Sequence, residues 1–373
     1  MKKITVVEVN DISNYPPVQS LLRILLDLGY KINLISFNTK SLPIDLYDNT
    51  NIKCFEIPNI SCNNKIKKIF VRIYSRFFIR YLIKKCMLDS NYLWTTSLNT
   101  LKIVGSLPIC YKNVLQLFEL SKFGYHYKNH FKFSIEKIAQ KSWKNVVCEI
   151  NRAYIEKIWW NLPSTPYVLP NKPYSIDYGD INDDVKNAIS KMKNEKRKII
   201  LYLGGIYPDR NFETFAKVIS KKSDYVLYIA GKAFSKKSEN LLKDLINNYN
   251  VVYLGSFVPP QHLAIVKYSY IGLLPYKPVS DGILSELNAL YCAPNKIYEY
   301  SGFGVPMIGS DVIGLLTPFE KWNIGKCCDE NDENSIENAI NYIDNNHEEM
   351  SYNCYNFFES TNLKEIVNSI LSE

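Results

Sequence analysis

The chain has 373 residues, 46% of them hydrophobic and 22% charged, a balance that argues against a disordered chain and fills two cores of ordinary domain size. Its 45 Lys and Arg against 37 Asp and Glu leave a formal charge of +8, which favours anionic partners such as nucleotide phosphates, nucleic acid or a lipid surface without choosing among them. Nine Cys without CxxC pairs argue against a sulfur-ligated zinc site and for a reduced cytosolic protein, and no stretch reaches the roughly 18 apolar residues of a membrane span.

In chain order, Ile4 to Glu8 reads as a buried strand. The apolar run is broken at Glu8 and Asn10, too early for the core of a signal peptide, so the expected location is the cytoplasm or, peripherally, the inner face of a membrane. The turn Asn10 to Pro17 contains Tyr15 and no glycine. A helix over Val18 to Leu28, stopped by Gly29, and a strand over Ile32 to Phe37 follow. Strand, helix and strand joined by short connections form the parallel unit of a doubly wound sheet. Ile52 to Ile57, Tyr92 to Thr95 and Val146 to Glu149 continue it as further strands.

Between them, in residues 64–86, Lys65, Lys67, Lys68, Arg72, Arg76, Arg80, Lys84 and Lys85 alternate with Ile66, Ile69, Phe70, Ile73, Tyr74, Phe77, Phe78, Tyr81 and Leu82. This is a basic helix with a broad apolar side, and two readings stay open. It either lies on anionic lipid or packs on the sheet with a solvated basic edge.

Leu169 to Asp184 breaks into Pro, Asn, Asp and Tyr and reads as a linker, with the boundary near 172 and a Lys/Glu-rich helix over 185–197. The alternation restarts with strands Lys198 to Leu203, Tyr225 to Ala230, Val251 to Leu254, Ile271 to Pro275 and Pro306 to Ser310, and helical runs such as Phe212 to Ile219 between them. Residues 1–172 and 173–355 are thus expected as two α/β halves. The end of the chain is helical by the spacing of Ile336, Ile340, Ile343, Ile366 and Ile370, and 356–373 is expected to pack back on the first half.

The most informative stretch is Ala293-Pro294-Asn295-Lys296-Ile297-Tyr298-Glu299-Tyr300, leading through Gly302 and Gly304 into Val305-Pro306-Met307-Ile308-Gly309-Ser310-Asp311. A polar turn precedes a helix, and a glycine-rich exit feeds a strand. Lys296 and Glu299, three residues apart, face one crevice beyond the carboxyl ends of the strands, where such sheets bind ligands. A second stretch, Leu201-Tyr202-Leu203-Gly204-Gly205-Ile206-Tyr207-Pro208-Asp209-Arg210-Asn211, is a strand running through a glycine loop into a helix. Alone, Gly204 and Gly205 are as readily a plain turn and Arg210 a solvated first-turn residue.

Together these stretches resemble the retaining GT-B glycosyltransferases called family four or glycosyl transferases group 1, many of them proteins of bacterial polysaccharide synthesis. Their C-terminal half carries a pattern like Pro-Asn-Lys-x-x-Glu-Tyr-x-x-x-Gly-x-Pro-x-Ile-x-Ser-Asp. Tyr228-Ile229-Ala230-Gly231-Lys232, Leu254-Gly255-Ser256 and Leu274-Pro275-Tyr276 stand in family order between the two motifs. The resemblance implies an α/β fold of GT-B type, two Rossmann-like doubly wound domains facing across a cleft, with the donor in the second. It implies that Glu299 accepts hydrogen bonds from the donor ribose. Gly204 and Gly205 would lie under the diphosphate, Arg210 and Lys296 would stabilise it as it leaves, and Pro275, Asn295 and Lys232, the last read alternatively as a solvated loop residue, would complete the donor side. An upstream glutamate of the family is replaced by Tyr291, which leaves Glu286 and the main chain of Leu290 to Ala293 as candidates for the donor sugar.

On the acceptor side the resemblance points to Tyr15, to Glu119 in Gln116-Leu117-Phe118-Glu119-Leu120 at a strand end, and to His126, with Glu119 and His126 as catalytic candidates. His126 reads equally as a packed ring among Phe123, Tyr125 and Tyr127. His262 and His347 fall on surface helices with no expected role. No cofactor and no metal are implied, and the activity is transfer of a sugar, with retention, from a nucleoside diphosphate sugar such as a UDP-sugar to a glycan or lipid-linked oligosaccharide. Two rivals are an epimerase acting on the UDP-sugar alone and a non-catalytic nucleotide-binding partner subunit. No Gly-x-Gly-x-x-Gly follows the first strand, which argues against a dehydrogenase, and no nucleic-acid-binding motif is present.

Overall fold

The computed structural model describes residues 2–58, 65–122, 134–207, 210–279 and 286–372. The chain divides into two compact units, the first comprising Met1–Pro170 and Asn362–Glu373, the second Asn171–Ser280 and Glu286–Thr361.

The first unit is built on β1 (Lys3–Asp11), β2 (Lys31–Phe37), β3 (Ile52–Glu56), β4 (Tyr92–Thr96), β5 (Asn113–Gln116), β6 (Lys144–Val147) and β7 (Tyr167–Val168). They form one parallel sheet in the order β3-β2-β1-β4-β5-β6-β7. Ile4, Val6 and Val7 of the central β1 are fully buried, as expected of a parallel strand covered on both faces. The helix Pro16–Asp27 buries Val18, Leu21, Leu22 and Leu25 on this sheet, and the last helix, Leu363–Leu371, adds Leu363, Val367, Ile370 and Leu371 to the same core. Each such side chain contributes about 1.5–3 kcal/mol on burial.

The helix Lys65–Cys86 packs Ile79, Leu82, Ile83 and Cys86 against Val7, Ile35 and Leu93. Arg76 Nη1 donates to the carbonyls of Lys102 and Ile103 at 3.3 and 3.1 Å, and Arg80 Nη1 to that of Val104. Both arginines thereby satisfy carbonyls at the end of the helix Leu98–Val104. The opposite side is bare: Phe70, Phe77 and Tyr81 are 68%, 70% and 59% exposed. Packing on the sheet therefore accounts for one side of this helix and leaves an aromatic side unspent. No helix among the described residues is long and apolar enough to cross a membrane.

The second unit carries β8 (Lys198–Leu203), β9 (Tyr225–Ala230), β10 (Val251–Gly255), β11 (Ile271–Leu274), β12 (Met307–Ser310) and β13 (Gly325–Cys328). These are parallel in the order β10-β9-β8-β11-β12-β13. Every residue of β9 and of β11 is buried. The helix expected over 185–197 runs Asp183–Asn194, because Glu195 leaves it to bond Arg197 Nε and Nη2, each at 2.8 Å.

Candidate active site

Strand order in the second unit reverses between β8 and β11, so the carboxyl ends of these two neighbours frame the switch point at which doubly wound sheets bind ligands. Two glycines shape it. Gly204 follows β8 with φ +130° and Gly231 follows β9 with φ +154°. A Cβ on Gly231 would stand 1.7 Å from the Gly204 carbonyl oxygen, which no side chain survives. A Cβ on Gly204 would stand 2.7 Å from Cε and 2.9 Å from Nζ of Lys296. The Lys296 ammonium therefore lies directly on the bare Gly204 backbone. The carbonyl of Gly205 accepts from the Tyr202 hydroxyl at 2.5 Å.

Lys296 projects from the helix Asn295–Ser301 and donates to the Tyr276 hydroxyl at 3.5 Å, so its hydrogen-bond partner among the described residues is a phenol and not a carboxylate. Arg210 reaches the same ring from the glycine loop, its guanidinium carbon 4.2 Å from the ring centre. The Arg210 N–H donates to the Tyr207 carbonyl at 3.1 Å. Tyr276, just beyond β11, is fixed by its own N–H, which donates to Ser310 Oγ at 3.0 Å. Burial pushes the Tyr202 phenol up, against Lys296 and Arg210, which pull it down. Two cations thus converge on one phenol at the switch point, an arrangement suited to a multiply charged anion.

Behind Lys296, one turn along its helix, Glu299 is buried. Its Oε1 lies 3.3 Å from His262 Nε2. Burial raises the Glu299 carboxyl, but His262 and Lys296 outweigh it and hold the group below its ordinary value, hence ionised. His262, expected on a surface helix without a role, is instead half of this buried pair. Sequence reasoning missed it because the two residues are 37 positions apart and belong to separate elements. His347 is structural: its ring stacks on Tyr270 with centroids 3.9 Å apart.

The remaining donor-side candidates sit at graded distance. Pro275 is buried immediately before Tyr276, and Asn295 opens the Lys296 helix half-buried. Lys232 is exposed, with its Nζ 5.8 Å from the centre of the Phe234 ring. Phe234 in turn stacks on Tyr207 at 5.5 Å. Glu286 is exposed on the short helix Glu286–Leu290.

In the first unit, Tyr15 comes within 6.2 Å of Phe118, ring centre to ring centre, which puts it beside the half-buried Glu119. Arg152 Nη1 holds that loop through the Phe118 carbonyl at 2.7 Å. The strand expected over Val146 to Glu149 ends at Val147, because Glu149 caps the next helix by accepting from Arg152 N at 3.0 Å. His126 lies outside the described residues.

Sequence reading also passed over Glu8 as part of a strand. It is fully buried at the end of β1, where Oε1 accepts from Asn10 N at 2.9 Å, Asn10 Nδ2 at 2.5 Å and Ser97 Oγ at 3.1 Å, and Oε2 lies 2.8 Å from Thr96 Oγ1. Burial pushes its carboxyl up to about 7 against these hydrogen bonds.

Residues 184–356 match the family described as glycosyl transferases group 1. No curated protein matches the chain. Among solved structures, a glycosyltransferase from Rickettsia africae is similar at 17% identity and TM-score 0.68, over 100% of this chain and 99% of that one. Sucrose-phosphate synthase from Thermosynechococcus elongatus is similar at 14% and 0.67, over 100% and 95%. Anabaena HepE, solved with UDP and glucose, is similar at 10% and 0.65, over 99% and 98%. At these identities the likeness is one of fold, and it is the GT-B fold of two Rossmann-like units.

Proposed function

We propose that the protein moves a sugar from a UDP-sugar to a glycan or lipid-linked oligosaccharide, with retention, in cell-surface polysaccharide synthesis, a reading supported by the match of residues 184–356 to glycosyl transferases group 1 and by the GT-B fold of the chain. The observation that carries this reading is the convergence of Lys296 and Arg210 on Tyr276 at the switch point of the second sheet.

In the proposed reaction the bond from the anomeric carbon to the diphosphate breaks with its electron pair going to phosphate. The acceptor oxygen bonds that carbon on the same face, and its proton leaves with the phosphate. Charge grows on the phosphate oxygens, where Lys296 and Arg210 stabilise it more than in the ground state. No divalent ion enters this account, and Glu299 holds the ribose hydroxyls. Tyr15 and Glu119 face the acceptor. We place the protein in the cytoplasm at the inner face of a membrane, with the bare aromatic side of Lys65–Cys86 as its contact.

Calorimetric titration with UDP, GDP and dTDP, on wild type and on Glu299→Ala and Arg210→Ala, tests the reading. UDP is expected to bind, and both substitutions to weaken it by about tenfold or more. Binding of none of the three overturns the donor site. Conversion of UDP-N-acetylglucosamine into an epimer without acceptor gives the site to an epimerase.

A further inference from the structure

The donor-site reading asks for a carboxylate at Glu299 but not for a histidine beside it. The His262 and Glu299 side chains are 13% and 8% exposed, and Nε2 of one meets Oε1 of the other at 3.3 Å. Among the described residues no hydrogen bond reaches Glu299 Oε2, and that oxygen is not among the buried atoms lacking a partner. One oxygen is therefore engaged by the protein while the other is left for a ligand. A carboxylate free to rotate would lose that distinction.

We propose that His262 is a positioning residue for Glu299: its Nε2–H donates to Oε1 and fixes the carboxylate so that Oε2 is presented to the ribose hydroxyls of the nucleotide. The proposal rests on the reading of Glu299 as the ribose-binding group. Donation from Nε2 leaves Nδ1 for other contacts. Nδ1 is buried without a partner, and so is Oε1 of the adjacent Gln261. Both residues open the 3-10 helix Gln261–Tyr268. An unanswered amide oxygen and an unanswered ring nitrogen next to a carboxylate call for a polar ligand, and a nucleoside brings hydrogen-bonding groups in its ribose and its base.

Carboxyl carbon and imidazole nitrogen NMR on the nucleotide-free protein, with UDP calorimetry, tests this on His262→Phe, His262→Gln, Glu299→Ala and the double variant His262→Phe/Glu299→Ala. Nε2 of the imidazole is expected to carry a proton, and His262→Phe to move the titration of Glu299 upward. The same change is expected to weaken UDP about tenfold, with His262→Gln restoring most of the loss through its own amide N–H, and to cost nothing further when Glu299 is already Ala. An Nδ1–H tautomer, an unmoved Glu299 titration, or an equal loss in the Glu299→Ala background overturns the proposal, the last being the mark of a merely structural ring. If Glu299 titrates as expected while wild type binds no nucleotide, the pair stands and the ribose reading of Glu299 fails.

Discussion

The guanidinium carbon of Arg210 lies 4.2 Å from the centre of the Tyr276 ring, inside cation–π range. The hydroxyl of the same residue takes Lys296 Nζ at 3.5 Å, so one side chain seats both cations. Tyr276→Phe keeps the ring and removes the hydroxyl, and Tyr276→Leu removes both. UDP affinity is expected to fall less than about threefold in the first and about tenfold in the second, with Lys296→Ala costing at least as much as Tyr276→Leu. Calorimetry at two salt concentrations checks it, and losses that depend on charge shrink as salt rises. Wild-type affinity in Tyr276→Leu would remove the ring from the account.

Gly231 and Gly204 separate folding from function at one site. Alanine at Gly231 meets backbone, its Cβ 1.7 Å from the Gly204 oxygen, and is expected to destabilise by several kcal/mol, on the order of 4. Alanine at Gly204 meets the flexible end of Lys296 at 2.7 Å. Beyond strain of about 1–3 kcal/mol at its positive φ, its main effect is expected to be displacement of the ammonium. Urea unfolding and UDP titration run in parallel distinguish the two. Equal loss of stability in both variants contradicts the separation.

Five of the six strands of the second sheet were legible because they are apolar runs bounded by turn residues, and the Asn295 to Glu299 and Gly204 to Arg210 stretches announced the site by their order. Two strands were not. Tyr167–Val168 is two residues long and Gly325–Cys328 reads Gly-Lys-Cys-Cys, too short or too polar to show a period. Glu8 and His262 were invisible for another reason. Each acquires its character from partners far away in sequence, 88 residues in the case of Thr96, and residue type alone does not distinguish a buried titratable group from a solvated one.

Glu8 gives a pH signature. A carboxyl raised to about 7 in the folded protein keeps its proton where the unfolded chain, titrating near 4.3, has lost it. Stability is therefore highest below about pH 4.3 as far as this group is concerned, and falls as pH rises from there to about 7, by about 4 kcal/mol in all. Glu8→Gln mimics the protonated form, its amide donating to Thr96 Oγ1. It is expected to remove that slope and to be the more stable protein at pH 8. Urea unfolding of the first unit from pH 5 to 8 measures it. A slope that survives in Glu8→Gln assigns the effect to other groups.

The helix Lys65–Cys86 holds eight Lys and Arg and no acid, as large an excess as the formal +8 of the whole chain. Charge on this scale beside the bare rings of Phe70, Phe77 and Tyr81 satisfies the two requirements of an interfacial helix: apolar surface to bury among acyl chains, and cations for anionic headgroups at about 1 kcal/mol each. Arg76 and Arg80 are engaged by backbone carbonyls, and among the described side chains of the helix Lys84 and Lys85 are exposed and placed to serve as cations. Sedimentation with vesicles containing phosphatidylglycerol is expected to carry the protein down, weakly with neutral vesicles and less in high salt. Replacing Phe70, Phe77 and Tyr81 together by Ser is expected to abolish it while leaving UDP affinity unchanged, since all three lie in the first unit. Sedimentation that ignores the triple replacement, or that is the same on neutral and anionic vesicles, removes this helix as the contact.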